Sequence, residues 1–599
     1  MNSCNTIYGM LRDTVARYPD QRAVGYRSGK NQDATYWTYR DLQRKVLECR
    51  KGLDCLGLRR GDRIALLSEN RAEWALVDLA AQALGLINVA IYPSLPAEQV
   101  EFILKDSGAR AALVSDARQR SKVESGLRGS LEFLITLEQD FEASEEVRTL
   151  EGVIQLGRDR GRSEEALDEA SEAVEPDDVA TAIYTSGTTG VPKGAMLTHR
   201  NLLHTAQAVL AEPIADIGPR DVFLSFLPLS HITERCGGYY LPLLAGSCIV
   251  YSQGLAAFAE ELSVTVQPTL MLCVPRLFES MHSKVLDRIA AMEPRQQRLV
   301  RWCIDAGEAC ARSTSLGKAV SPPAALRRMV AEKLALARLR TRVVGGNMRY
   351  MVSGGAPLDP ATATFFLAIG VQILEGYGLS ETGIIAVNRP HRQRIGTVGR
   401  LLSEVELKIA EDGEILTRGP GRMRGYFNNP EATEEAIDPE GWFHTGDVGE
   451  QSKDGFLKIT DRKKDILVLA NGKKVAPQPI EALLKHSSYI SEAVLFGDCS
   501  PTVSALLAPA MDPLKRWAKD QGIEETDPEA LIARPEVMKL FREEIDRNAG
   551  HLADFERIKR FKLVPHPFSI EGGELTPTLK VKRRFVAEKY AELLASISR

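Results

Sequence analysis

Cysteine is sparse and unpatterned in this chain. Its nine residues (Cys4, Cys49, Cys55, Cys236, Cys248, Cys273, Cys303, Cys310 and Cys499) form no CxxC pair and do not alternate with histidine. That excludes a zinc-ribbon or disulfide framework and fits the reduced thiols of a cytosolic protein. Long apolar runs are missing too. Residues 76–92 are broken by Asp78, Gln82 and Asn88, and 239–251 is short, so neither reaches the roughly 18 apolar residues of a membrane span. Both are expected to be buried elements of a soluble core. An excess of positive charge is absent: 76 Lys and Arg stand against 80 Asp and Glu, a net −4, which leaves no global basic field for nucleic acid. The opening MNSCNTIYGMLRDTVARYPD has no basic region followed by an apolar stretch, so no secretory signal is expected. The expected location is cytoplasmic, with peripheral membrane contact left open.

What is present is ordinary globular composition over 599 residues, 44% hydrophobic and 26% charged, enough for more than one core. The run Glu73–Leu84 places Leu76, Leu79, Ala80 and Ala83 on one helical face. Arg63–Leu67 and Ala111–Val114 are short apolar runs bounded by Gly, Asp or Ser and read as buried strands. Strands alternating with helices point to an α/β design with a largely parallel sheet. Residues 138–178, acidic and poor in large apolar side chains, are expected to be a solvated excursion rather than core. Residues 280–345, rich in Arg and Ala, read as a helical insertion.

The strongest single feature is Tyr184-Thr-Ser-Gly-Thr-Thr-Gly-Val-Pro-Lys-Gly194. It follows the β-prone run Val179–Tyr184 and precedes a predicted helix over 199–211. The hydroxyls of Ser186, Thr188 and Thr189 can donate to phosphate oxygens, and the glycines Gly187, Gly190 and Gly194 let backbone N–H groups approach closely. Lys193 adds a positive charge. The string is not a Walker loop, because its lysine is followed by Gly where that loop has Ser or Thr.

This string resembles the signature of the adenylate-forming superfamily: acyl-CoA synthetases, luciferases and the adenylation domains of peptide synthetases. The resemblance implies that Thr185, Ser186, Gly187, Thr188, Thr189 and Lys193 contact ATP. Seven further segments match in order, so it covers most of the chain from about residue 36 onward. Leu227-Pro-Leu-Ser-His231 resembles the motif whose histidine lies near the acyl channel. Ser353-Gly-Gly-Ala-Pro357 and Glu375-Gly-Tyr-Gly-Leu-Ser-Glu-Thr382 resemble the adenine- and magnesium-site motifs, which makes Gly355, Ala356, Glu375, Gly376, Tyr377 and Ser380 nucleotide contacts. Tyr377 offers an aromatic face for stacking. Glu381, with Thr185, offers the hard oxygen that suits Mg²⁺. Gly441-Trp-Phe-His-Thr-Gly-Asp447 resembles the ribose-binding motif, since a carboxylate can accept from both hydroxyls. Arg462 resembles the second ribose or phosphate contact, and Lys464 occupies the family's hinge position.

Asn471-Gly-Lys-Lys-Val-Ala-Pro-Gln-Pro-Ile-Glu481 resembles the segment that builds the CoA tunnel, where Gly472 leaves room for the pantetheine arm and Lys473 and Lys474 read mainly as solvated charges. Leu575-Thr-Pro-Thr-Leu-Lys580 resembles the C-terminal motif bearing the catalytic lysine. Lys582, Arg583 and Arg584 stand close by, but Lys580 holds the motif's place. The implied fold is α/β: a large N-terminal domain of α/β layers with a small β-barrel-like subdomain, residues 1–462, and a small mobile α+β C-terminal domain, residues 463–599.

The implied reaction is ATP-dependent activation of a carboxylate as acyl-AMP, then transfer to coenzyme A, with Lys580, Glu381, His231 and Lys464 as catalytic residues and ATP, Mg²⁺ and CoA as cofactors. The length, the helical insertion and the ending around Lys580 resemble the long-chain fatty acid branch, although Leu277-Phe278 stands where some members carry an aromatic gate of tryptophan type. The rival acceptor is an acyl carrier protein. A luciferase-like oxidation and a catalytically silent nucleotide-binding regulator are the remaining readings.

Overall fold

The computed structural model describes residues 5–27, 34–124, 131–138, 147–186, 192–211, 216–525, 527–576 and 580–598. The chain divides into two compact units. One comprises Met1–Lys408, Leu416–Thr445 and Gln451–Lys458; the other comprises Ile409–Ile415, Gly446–Glu450 and Ile459–Arg599.

The larger unit is built on two extended sheets. In one, the strands Arg22–Tyr26, Cys248–Tyr251, Val222–Ser225, Leu270–Cys273, Tyr350–Ser353 and Gln372–Leu379 run parallel side by side. In the other, Val179–Ser186, Ile87–Ile91, Arg63–Leu67, Ala111–Val114, Phe133–Thr136 and Val147–Thr149 do the same. Antiparallel strands close both margins of the first sheet and one margin of the second, whose other margin is the parallel strand Val147–Thr149. The two strands expected at 63–67 and 111–114 have those bounds, and their central residues are fully buried, as a parallel sheet covered on both faces requires. The interrupted run 76–92 resolves into a helix, Ala72–Ala83, and the strand Ile87–Ile91. That helix is buried on every side rather than on one face.

Its polar residues are therefore committed to a network. Asp78 accepts from Arg235 at 2.8 Å, Asn88 at 2.6 Å and Tyr240 at 3.0 Å. Arg235 also donates to Thr181 at 3.2 Å and lies over the Trp74 ring. Both charged side chains of the pair are fully buried.

One expectation fails. Residues 138–178 are not a solvated excursion: where described, they supply the strand Val147–Thr149 and the helices Leu150–Arg160 and Glu164–Glu172. Leu150, Val153 and Ile154 recur at helical spacing and bury in the main core with Leu167. The acidic groups mislead because arginines hold several of them: buried Arg50 donates to Asp168 at 2.9 Å and to Ser171 at 2.8 Å. Residues 139–146 lie outside the described residues. The segment read as a helical insertion is helical, starting at Pro275 and continuing to Val344, and it forms the crossover between the parallel strands Leu270–Cys273 and Tyr350–Ser353.

The smaller unit packs an α+β core on the sheet Ile490–Phe496, Val503–Pro509, Ile558–Leu563. Among the described residues no helix is long and apolar enough to cross a membrane.

Candidate active site

In the larger unit the two ends of the signature string lie on paired strands. The strand Val179–Ser186 pairs antiparallel with Pro192–Thr198, setting Thr185 opposite Lys193 and Tyr184 opposite Gly194. Only after this second strand does the expected helix His199–Ala211 begin. A side chain at Gly194 would stand 2.9 Å from the Tyr184 ring, so glycine there serves the packing of Tyr184, whose hydroxyl donates to Asp106 at 2.6 Å. Gly187, Thr188 and Thr189 lie outside the described residues, as does the side chain of Ser186.

Beside this hairpin stands Glu381. Its Oε1 accepts from the Tyr426 hydroxyl at 3.0 Å and from Thr185 Oγ1 at 3.5 Å. Tyr426 belongs to a short strand, Gly425–Tyr426, that pairs with Pro192–Thr198, and the Lys193 ammonium lies 5.4 Å from the centre of its ring. Burial, with the Glu381 charge, pushes the Tyr426 phenol well above its usual range, so it stays a donor to the carboxylate. Thr185, Lys193, Glu381 and Tyr426 thus meet from three distant stretches of chain. Tyr426 was not singled out in the sequence; the strand pairing brings it to the site. Among the described residues no cluster of three or more His, Cys, Asp or Glu could hold a metal by itself. Glu381 and Thr185 nevertheless form the sparse all-oxygen donor set that suits Mg²⁺, which keeps much of its shell from phosphate and water.

A second group lies at the other end of Gln372–Leu379. Glu375 pairs with Ser353 on the neighbouring strand, and Gly355 and Ala356 follow in the next loop. Gly376, Tyr377 and Ser380 are half-buried along the same stretch. The Glu375 carboxyl is buried, held by the backbone amides of Leu358 and Gly396, and burial pushes it up to about 8. Thr233 reaches this loop as well, its methyl 3.5 Å from where a side chain at Gly354 would begin. His231 sits two residues earlier, its Nδ1 accepting from the Thr233 amide at 3.2 Å. Asn70, which no motif marks, pins the preceding turn: it donates to Leu227 O at 2.6 Å and accepts from the Leu229 amide at 2.9 Å.

The next residue, Glu234, opens a π-helical turn, Glu234–Tyr240. It is wholly buried, and neither carboxyl oxygen has a hydrogen-bond partner of ordinary geometry. Burial pushes its carboxyl from 4.5 up to about 8. The folded state therefore holds the proton more tightly than the unfolded chain, and stability present below pH 4.5 is lost as pH rises toward 8. Glu234→Gln is expected to stabilise the larger unit by about 1–3 kcal/mol near pH 8, with the gain vanishing toward pH 5. Urea unfolding at the two pH values checks this; equal gains at both would count against a buried neutral carboxyl.

The smaller unit holds its own predicted residues. Asp447, on Phe443–Gln451, accepts from Arg462 Nε at 2.8 Å, so the two expected ribose contacts are paired with each other. Asp461 is buried and pushed up to about 6. Lys464 is exposed in the turn that follows, where the amides of Asp465 and Ile466 both donate to Arg462 O, at 2.9 and 3.2 Å. Gly472 has φ +78° in the tight turn between Leu467–Val468 and Lys474–Val475. The turn itself thus demands glycine, and open space surrounds the position where a side chain would begin.

Lys473 is exposed, as expected of a solvated charge, and its ammonium lies over the Phe555 ring at 4.5 Å. Near the C-terminus, Thr576 and Lys580 bond through Thr576 N–H to Lys580 O at 2.8 Å and Lys580 N–H to Thr576 Oγ1 at 3.0 Å, and the Lys580 side chain is exposed. Residues 577–579 lie outside the described residues. The neighbouring cations are engaged: Arg583 donates to Glu481 at 2.7 Å and to Leu495 O at 2.6 Å, and Arg584 donates to Glu588 at 3.1 Å.

The chain is similar to known proteins along most of its length. The profile of the AMP-binding enzyme family matches residues 11–427, and that of the AMP-binding enzyme C-terminal domain matches residues 464–597. The long-chain-fatty-acid–CoA ligase FadD15 of Mycobacterium bovis is 35% identical, covering 91% of this chain and 89% of its own length. A long-chain-fatty-acid–CoA ligase of Mus musculus is 31% identical over 99% of this chain and 85% of its own. In fold, the chain resembles the adenylation domain of a carboxylate reductase from Mycobacterium chelonae, with a TM-score of 0.77, 23% identity and coverage of 99% and 91%. Matched along nearly its whole length by both profiles, and by relatives of similar size, the chain belongs to the AMP-binding enzyme family.

Proposed function

We propose that the protein is an AMP-forming ligase that joins a fatty acid, of the long-chain class, to coenzyme A through an acyl-adenylate. The observation that carries this is the meeting of Thr185, Lys193, Glu381 and Tyr426 at the phosphate-type hairpin, in a chain whose relatives, matched over most of both lengths, include long-chain-fatty-acid–CoA ligases.

The first half-reaction brings a carboxylate to the α-phosphate of ATP. Both are anions, so much of the barrier is repulsion, and fixed positive charge is needed where negative charge accumulates. Lys580 is assigned to the carboxylate and the α-phosphate oxygen. Lys193 and the hydroxyls of the hairpin are assigned to the departing pyrophosphate, Tyr377 to the adenine face, and Asp447 with Arg462 to the ribose. Glu381 and Thr185 would hold a magnesium ion, whose chemistry there would be to neutralise charge on the phosphates. The Tyr426 hydroxyl fixes the Glu381 carboxylate. In the second half-reaction the CoA thiol attacks the acyl carbonyl and AMP leaves. The anhydride is already activated, so no protein nucleophile is required. His231 is assigned to the acyl route and the segment around Gly472 to the pantetheine arm.

With the chain divided into residues 1–462 and 463–599, a pivot is assigned to Lys464, Lys580 to the first half-reaction and residues 472–480 to the second. Proline at 464 fixes φ there and restricts Lys463 before it. Lys464→Pro is expected to lower one half-reaction about tenfold or more while the other stays within about twofold. Equal rates in both halves would remove the pivot.

The direct test is a series of fatty acids of increasing length, read by AMP and pyrophosphate release with and without CoA. Acid-dependent pyrophosphate release, with acyl-CoA formed only when CoA is present, supports the reading. Release that ignores the acid, or adenylate that CoA never consumes, would overturn it.

A further inference from the structure

The helical crossover of the larger unit has a surface unlike the rest of the chain. Residues 275–345 contain fourteen Lys and Arg against six Asp and Glu, a local +8 in a chain of net −4. The same stretch holds eight of the twelve exposed large hydrophobic side chains among the described residues, so apolar and basic groups share one region. In the helix Pro294–Ser315, Arg295, Arg298, Leu299 and Trp302 follow one another at the spacing of a single face, and all are exposed. The helix Pro322–Ala331, continued through Glu332–Leu336 to Val344, buries Ala331, Leu336 and Val344. Leu326, Met329, Val330 and Leu334 remain outside, Leu326 being 58% exposed and Met329 54%. The Arg327 guanidinium lies 5.7 Å from the Trp302 ring and joins the two helices. The acid in this second helix, Glu332, is already bound by Arg340 at 2.7 Å.

A face meant only for water would carry charge where these leucines and methionines stand; a concentration of exposed apolar side chains marks a surface that meets something. Basic side chains among apolar ones are the composition of an element lying at a lipid interface, with the apolar groups in the acyl boundary and the cations level with the headgroups. The charge selects the partner. A second copy would bring +8 against +8, and a nucleic acid backbone has no use for Leu326 or Met329, whereas an anionic bilayer offers negative charge and an apolar layer together.

We propose that the crossover 275–344 is a docking face for an anionic lipid surface. It stands apart from the choice of acid, and its failure would leave the ligase reading untouched.

The test uses the full chain in sedimentation with vesicles of phosphatidylcholine alone and of phosphatidylcholine with about 30% phosphatidylglycerol. Binding is expected on the anionic vesicles, at least about fivefold weaker on the neutral ones, and weakened by about 0.5 M salt. Two variants separate the contributions: Leu326→Ser/Met329→Ser/Leu334→Ser, and the surface set Arg295→Gln/Arg298→Gln/Arg327→Gln. Each is expected to lower the bound fraction at least about fivefold with an unchanged thermal unfolding midpoint. Should the serine variant fail to fold, the glutamine variant decides alone. Wild-type binding by the folded variants, equal binding to neutral vesicles, or a concentration-dependent dimer abolished by the same changes without vesicle binding would each overturn the proposal.

Discussion

Lys580→Ala is expected to lower acyl-adenylate formation by about 10²–10³-fold, the scale for losing one fixed charge-stabilising donor at a developing negative centre. Thioester formation from supplied acyl-AMP should fall no more than about threefold, because that step no longer joins two anions. The prediction is specific to Lys580 because the nearby cations have other tasks. Arg583 is bound to Glu481 and to Leu495 O, and Arg584 to Glu588. Arg583→Ala should lower stability of the smaller unit, since it strips a half-buried carboxylate of its partner, and should impair both half-reactions together. Measuring adenylate by pyrophosphate release and thioester from synthetic acyl-AMP separates these patterns. Equal losses in both halves for Lys580→Ala would end its assignment to the first.

Arg235→Met is the change expected to cost most stability, about 3–5 kcal/mol, because it leaves the Asp78 carboxylate charged and buried without its counter-ion. Gln82, Asn88 and Tyr240 still donate to that carboxylate, but neutral donors do not replace a guanidinium. Removing both charges should recover much of the loss: Asp78→Leu/Arg235→Met is expected within about 2 kcal/mol of the parent, as when a buried ion pair gives way to apolar groups of similar volume. Denaturant unfolding of the larger unit checks both. A single variant within about 1 kcal/mol of wild type would show that the pair contributes little. The pair also ties the Ala72–Ala83 helix to Thr181 on the hairpin strand and to the π-helical turn that follows His231. Loss of packing there should therefore weaken ATP-dependent activity at temperatures where the chain is still folded.

Much of the candidate site was legible because it is written in short contiguous strings. A hydroxyl- and glycine-rich string, a Glu after Gly-Tyr-Gly-Leu-Ser and an Asp after Thr-Gly each carry their chemistry locally, and buried parallel strands such as Arg63–Leu67 announce themselves by unbroken apolar runs. The failures share a cause. Pro192–Thr198 opens Pro-Lys-Gly and was assigned no strand; it becomes one because Val179–Ser186 offers it a partner, and proline is tolerated as the first residue of such a strand. Residues 147–172 looked solvated because acidic side chains were counted without the arginines that meet them, and Arg50 lies more than a hundred positions away in sequence.

The sequence by itself determined the chemistry on offer and the order of its segments: which carboxylates, hydroxyls and cations exist, and on which kind of local element each stands. The tertiary structure alone decided the partnerships. Tyr426 became the link between Lys193 and Glu381, Asp78 acquired a buried counter-ion, Asn70 came to hold the turn before His231, and Arg583 was drawn to Glu481. The physical reason is that local preference reaches a few residues along the chain, whereas strand pairing and the requirement that buried polar groups find partners act across any separation in sequence.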